Sequence, residues 1–165
     1  MIVQVRIDDR LIHGQVALMW SKFLDTRGII VANDAAARSE AVSSTLKMSC
    51  PSSQRLLVKT VDDAVRAIND PRGKGMRIFV LTNCVRDALE LVRRCPGEIS
   101  EVNMANVGRF DGAKANEKTK VITGVELTKS EVEAARELCL TGVDVYHQTT
   151  PNDFKTDVSD IIGRL

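Results

Sequence analysis

The sequence predicts an α/β domain of three layers: a mainly parallel, seven-stranded sheet with helices on both faces and one strand free to run antiparallel. Three observations carry this. Short β-rich runs alternate with helical-period stretches almost from end to end, the pattern of βα units around a parallel sheet. The 165 residues match one ordinary domain, expected to span residues 1–165, since domains commonly hold roughly 100–200 residues. Hydrophobic residues make up 44% and charged residues 27% of the chain, an average soluble composition with enough apolar material for a core.

The elements follow in order. IVQVRI (2–7) is the first strand, and GQVALMWSKFL opens a helix over 14–24 in which Val16, Met19, Trp20 and Phe23 share a core-facing side. GIIVAN (28–33) is the second strand and precedes a helix over 35–48. RLLVKT (55–60) is the third; Thr60 caps a helix over 61–69, where Asp62 and Asp63 suit the positive end of the helix dipole. NDPRGKGMR (69–77) reads as a solvated basic turn before the fourth strand, RIFVLT (77–82), and a helix over 84–94. ISEVNM (99–104) is the fifth strand.

The next stretch, ANVGRFDGAKANE (105–117), has two glycines and no helical stripe, so strands five and six are expected to join without a crossover helix. That connection is what frees one strand to run antiparallel. KVITGVEL (120–127) is the sixth strand. Thr128 and Glu131 form a capping box before the Val132, Ala135, Leu138 and Cys139 stripe of a helix over 129–141, which Gly142 closes. GVDVYH (142–147) is the seventh strand, and a last helix is expected over 152–163.

Composition excludes several functions. Lys and Arg number 23 against 22 Asp and Glu, which gives no global field for nucleic acid or an acidic membrane, so any anion site must be local. The N-terminus lacks the basic and long apolar regions of a signal peptide, and no apolar run reaches the roughly 18 residues of a spanning helix; a cytoplasmic location is expected. Cys50, Cys84, Cys95 and Cys139 show no metal-ligand spacing, only two histidines accompany them, and buried free thiols are the simplest reading. No metal is expected. Neither GxxxxGK[ST] nor GxGxxG follows a strand, so no nucleotide or other cofactor is expected.

The chemistry concentrates in RIDDRLIHGQV, residues 6–16. This segment follows the first strand, and ligands of open α/β sheets bind beyond the carboxyl ends of strands, where helix N-termini point free N–H groups. His13 then stands at a helix start, next to Gly14. A neutral imidazole is a good nucleophile near pH 7, and a helix N-terminus discourages the imidazolium while favouring an incoming anion. Nucleophilic attack on phosphorus fits. Arg10 offers a planar fork of donors to a phosphoryl group, and Arg6 is a second such donor. One of Asp8 and Asp9 orients Arg10 or the imidazole while the other caps the turn, and Gln15 offers a neutral amide in the first helical turn.

RIDDRLIHGQV closely resembles the active-site segment of the IIB components of the mannose/fructose/sorbose family of the bacterial sugar phosphotransferase system. The similarity continues through VANDAAARSEAVSSTLKMSCP (31–51), EVNMANVG (101–108) and TGVDVYHQTTPND (141–153), and so covers essentially the whole chain. The resemblance implies an α/β fold and a phosphoryl-carrier subunit, a protein-phosphohistidine–sugar phosphotransferase component. His13 would accept the group from a phosphohistidine on a IIA domain and pass it to the hexose entering through membrane IIC and IID subunits. It further implies Arg10 as the active-site arginine, Asp8 and Asp9 as shapers of the loop, use of the δ nitrogen, and peripheral association with the inner face of the membrane. Gly108 would face the same loop. Where that family commonly continues with another glycine and a small or apolar residue, this chain has Arg109 and Phe110.

Other polar residues fall on the carboxyl edge of the sheet: Asn33, Asp34, Thr82, Asn83 and His147. Asn83 is kept as a phosphate-binding candidate; the rest read most simply as cap, turn or strand-end residues, with His147 in a supporting place. Two other functions compete: a regulatory module that binds a phosphorylated ligand at this loop without covalent chemistry, and a structural subunit with a solvated loop. The sugar and the oligomeric state, a homodimer included, stay open.

Overall fold

A computed structural model describes residues 1–165. Its strands are β1 (Ile2–Asp8), β2 (Gly28–Ala32), β3 (Arg55–Lys59), β4 (Ile78–Thr82), β5 (Glu101–Asn106), β6 (Lys118–Ile122), β7 (Val125–Thr128), β8 (Asp144–His147) and β9 (Thr156–Asp157). The helices are α1 (Gly14–Phe23), α2 (Asp34–Arg38), α3 (Glu40–Ser49), α4 (Val61–Asn69), α5 (Val85–Arg94), α6 (Lys129–Leu140) and α7 (Ser159–Gly163). The main sheet runs β3-β2-β4-β1-β5-β8-β9, parallel throughout except for β9.

Central strands of such a sheet are covered on both faces and so are apolar at successive positions. In β2 and β4, Ile30, Ala32, Ile78 and Val80 pack with α4, α5 and α6, while Ile29, Val31, Phe79 and Leu81 pack with α1, α2 and α3. These are the three layers expected. β1 departs from this rule on one side only. Val5 and Ile7 join the larger core, but Gln4, Arg6 and Asp8 point to the α1 face, each at most 1% exposed. Asn103 of β5 and Tyr146 of β8 continue this buried polar stripe, which the segment after β8 covers.

The sheet has the expected number of strands but not the expected set. Residues 120–127 do not supply one: Gly124, at φ +84°, reverses the chain between β6 and β7, which form a separate two-stranded antiparallel sheet. Glycine inside a strand-like run was the overlooked turn signal. The antiparallel member of the main sheet is β9, which lies inside the helix expected over 152–163; only Ser159–Gly163 is helical there, and Asp157 accepts the Ser159 N–H at 2.8 Å to start it. The helix expected over 35–48 breaks at Ser39, whose hydroxyl caps α3 while Asn33 caps α2. The capping box at α6 is half formed. Thr128 accepts from Glu131 N–H, but the Glu131 carboxylate accepts from Val85 N–H at 2.6 Å and so serves the start of α5. Trp20 is core at 1% exposed, whereas Phe23 is 62% exposed, because α1 ends there at the sheet's rim. All four cysteines are free thiols; Cys95 is buried and the other three half-buried. No helix is long and apolar enough to cross a membrane.

Candidate functional site

The chain leaves β1 toward the α1 face, while β4 and β5 lead to elements on the opposite face. A crevice opens where connections diverge in this way, beyond the carboxyl ends of the strands. Residues Asp8 to His13 occupy it. Ile12 anchors the loop among Ala17, Ala36 and Leu46, and Leu11 takes a left-handed φ of 57°. That conformation costs a branched residue about 1–2 kcal/mol, and it sits in the loop between Asp8 and His13.

Asp8 is the hub. Its Oδ2 accepts from Arg6 Nη2 at 3.2 Å and Asn106 Nδ2 at 3.2 Å, and its Oδ1 accepts from Arg10 N–H and Nε, both at 3.2 Å. His13 Nε2 lies 3.4 Å from Oδ2. Burial pushes the Asp8 carboxyl up, but hydrogen bonds and charge from Arg10 and Arg6 outweigh it and hold the group below its ordinary range. Asp8 is therefore ionised and can only accept. A neutral His13 consequently carries its proton on Nε2 and presents the lone pair of Nδ1, which has no protein partner. Burial lowers the His13 pKa, with Arg10 and Arg6 adding to the effect and Asp8 opposing it.

His13 is also the N-cap of α1, with extended backbone angles and no side-chain hydrogen bond at the cap. Side chains of Asn33, Ser39, Thr60 and Thr128 cap α2, α3, α4 and α6. The first N–H groups of α1 are left for something else, and that end of a helix attracts anions. Gly14 and Gln15 are exposed there, and Gly14 has a φ of +39° that favours glycine.

Arg6 is 1% exposed, so burial lowers its pKa while Asp8 sustains its charge. Its other donors reach the Gln148 carbonyl at 3.1 Å and the Thr149 carbonyl at 3.2 Å, and it stacks 5.2 Å from the Trp20 ring centroid. Arg6 thus supports Asp8 from inside, where the sequence reading made it a phosphate donor. Arg10, with its side chain 34% exposed, is the guanidinium at the surface.

The other candidates divide. Asp9 does not touch His13; it accepts from Arg109 through the backbone N–H at 3.0 Å, Nε at 3.3 Å and Nη2 at 2.5 Å. Asn83 and Gly108 line, with Asp9, a neighbouring crevice of about 190 Å³. Gly108 is demanded by packing: at φ +105°, a Cβ would sit 2.0 Å from the Glu126 carbonyl oxygen. Its own carbonyl accepts from Lys118. The hairpin thus accounts for this glycine without any phosphate. His147 is half-buried, with Nδ1 2.8 Å from the Met104 carbonyl. Asn33 caps α2, Asp34 accepts Val61 N–H at 2.9 Å, and Thr82 donates to the Cys84 carbonyl at 3.3 Å. Sequence reasoning missed Asn106, Gln148, Thr149 and Trp20 as supports. The signal for Asn103 and Asn106 was polarity inside an otherwise buried strand.

No group of acidic, histidine or cysteine side chains is arranged to hold a metal ion. The chemistry available is that of a neutral, oriented imidazole beside an exposed guanidinium and free helix amides.

Comparisons with known proteins agree with one another. The model of the family described as PTS system sorbose subfamily IIB component matches residues 2–165. A Streptococcus pyogenes protein, named as a probable phosphotransferase enzyme IIB component, is 43% identical over 164 residues, covering 99% of this chain and 100% of its own. The sorbose-specific EIIB component of Klebsiella pneumoniae is 30% identical over 162 residues, covering 98% of this chain and 95% of its own. The crystal structure of the IIB domain of the Klebsiella pneumoniae sorbose permease superposes with a TM-score of 0.88 at 29% identity, over 99% of this chain and 97% of that one.

Proposed function

Since this chain belongs to the sorbose-subfamily IIB components of the phosphotransferase system, and so to a family of phosphotransferase components serving sugar transport, we propose that His13 is its phosphoryl carrier. The whole of residues 1–165 acts as one IIB domain, in the cytoplasm and at the inner face of the membrane. It takes the phosphoryl group from a phosphohistidine of a IIA domain and delivers it to a hexose at IIC and IID subunits. Nδ1 of His13 attacks phosphorus in line with the donor nitrogen. The new N–P bond forms as the old one breaks, and the electron pair of the old bond returns to the donor ring.

The observation that carries this reading is the Asp8–His13 pair. Attack through Nδ1 leaves the His13 ring bonded at both nitrogens and positively charged, and Asp8 stands 3.4 Å from Nε2 to stabilise that charge. Arg10, with the amides of Gly14 and Gln15, faces the phosphoryl oxygens. Arg6 and Asn106 hold Asp8 in place. Positioning and charge stabilisation are the whole of the catalysis, since a nitrogen-bound phosphoryl is already activated.

The test is intact-mass spectrometry after incubation with a phosphorylated IIA protein of this family, under conditions that preserve acid-labile adducts. One phosphoryl adduct is expected on the wild type and on His147→Ala, and none on His13→Ala. Labelling of His13→Ala would reject the assignment.

A further inference from the structure

We propose that Phe110, carried on the rim of the His13 site, is an anchor for the protein that brings the phosphoryl group, with Arg10 and Arg109 supplying the charge such a partner needs. This rests on His13 being the acceptor.

Phe110 is 70% exposed, and an exposed aromatic is by itself ordinary. What sets it apart is how it is held and where. Gly108 is wedged against the Glu126 backbone, and Lys118, with its side chain only 8% exposed, donates to the Gly108 carbonyl and to Asp111. Arg109 makes three hydrogen bonds to Asp9, and its guanidinium stacks 5.4 Å from the Phe110 ring centroid. The ring is therefore presented to water by a fixed loop, and little ordering remains to be done when a partner covers it.

Its place follows from the same contacts. Asp9, which Arg109 clamps, lies between Asp8 and Arg10, and Phe110 lines the same crevice as Asp9. Transfer between two imidazoles requires reacting atoms about 3–3.5 Å apart, so the partner's surface must come down onto this loop. A standard interface of about 800 Å² per partner is a patch about 16 Å in radius. The loop that Asp9 tethers is joined to its centre through adjacent residues, since Asp9 follows Asp8 and the Asp8 carboxylate lies 3.4 Å from His13 Nε2.

Charge decides among occupants. The Asp8 and Asp9 side chains are 1% and 6% exposed, while their partners Arg10 and Arg109 are 34% and 45% exposed, so around the acceptor loop the guanidiniums face outward; the acidic groups near Phe110, which are Asp111, Glu126 and Glu131, line the neighbouring crevice, with Asp111 paired to Lys118. A phosphohistidine surface brings about −1.5 to −2 charges to that rim. A neutral sugar brings none, and a second copy of this chain brings no phosphoryl group to this loop.

Two donors separate the outcomes: a phosphorylated IIA protein, and phosphoramidate, a small N–P donor that needs no docked surface. Phe110→Ala is expected to raise KM for the protein donor about tenfold with kcat nearly unchanged, and to leave labelling by phosphoramidate as in the wild type. Phe110→Leu should recover part of the loss. An unchanged KM overturns the proposal, as does equal slowing with both donors, which would make Phe110 a support of the loop. A defect confined to onward transfer to sugar overturns it in favour of the membrane subunits, and a change in oligomeric state at constant KM overturns it in favour of a second copy. If neither donor labels wild-type His13, it is the carrier reading that fails.

Discussion

Replacing Asp8 by Asn removes the one carboxylate that compensates Arg6 inside the protein. Arg6 is 1% exposed, and its hydrogen-bond partners are Asp8 and the carbonyls of Gln148 and Thr149. Breaking a buried ion pair by deleting one partner costs about 3–5 kcal/mol. The two carbonyls still solvate the guanidinium, so the expected loss is near the lower end, about 3 kcal/mol. Urea denaturation of the wild type and Asp8→Asn at pH 7 reads this directly.

The pH dependence follows from the sign of the shift. Asp8 is held below its ordinary value in the folded state, so its contribution is complete above the unfolded carboxyl pKa of about 3.9 and is lost as pH falls through the folded value. The gap between wild type and variant should therefore close only below about pH 4. Adding Arg6→Met to Asp8→Asn removes the stranded charge and should recover part of the stability. A loss under about 1 kcal/mol at pH 7, or no recovery in the double variant, would refute Asp8 as the compensating charge.

Three further outcomes are expected. Arg10→Lys should slow phosphoryl acceptance about tenfold or more in a rapid-quench assay, because an ammonium on a flexible stem cannot reproduce the guanidinium fork; an unchanged rate would count against direct phosphate contact. Because burial and the neighbouring arginines lower the His13 pKa, acceptance should stay level as pH falls from 8 and decline only below the ordinary histidine value of about 6.5; a midpoint above that value would contradict the neutral-imidazole account. Gly108→Ala should cost about 2 kcal/mol or more, since both φ +105° and the 2.0 Å approach to Glu126 exclude a Cβ; a thermal melt within about 1 °C of wild type would disprove the close packing.

Much of the fold was legible because parallel strands buried on both faces are written as unbroken apolar runs. GIIVA and IFVLT became β2 and β4 at nearly the expected residues. Part of the candidate site's geometry was legible too. Asp8, Arg10 and His13 fall within six contiguous residues, whereas Asn106, half-buried at the end of β5 and beyond the strand expected over 99–104, was missed. Less could be seen wherever a short segment had two local readings. KVITGVEL reads equally as one strand or a hairpin, and NDFKTDVSD has no stripe to fix its conformation.

The sequence by itself determined the layered α/β architecture, the loop that holds the candidate site and the family, since all three depend on local pattern and contiguous residue types. Only the tertiary structure decided what each charged group does there. It buried Arg6 behind Asp8, turned Arg10 to the surface, bound Asp9 to Arg109, which follows it by a hundred residues, and gave Nε2 of His13 its acceptor. Those roles depend on burial and on partners distant in the chain, and neither is encoded in the spacing of neighbouring residues.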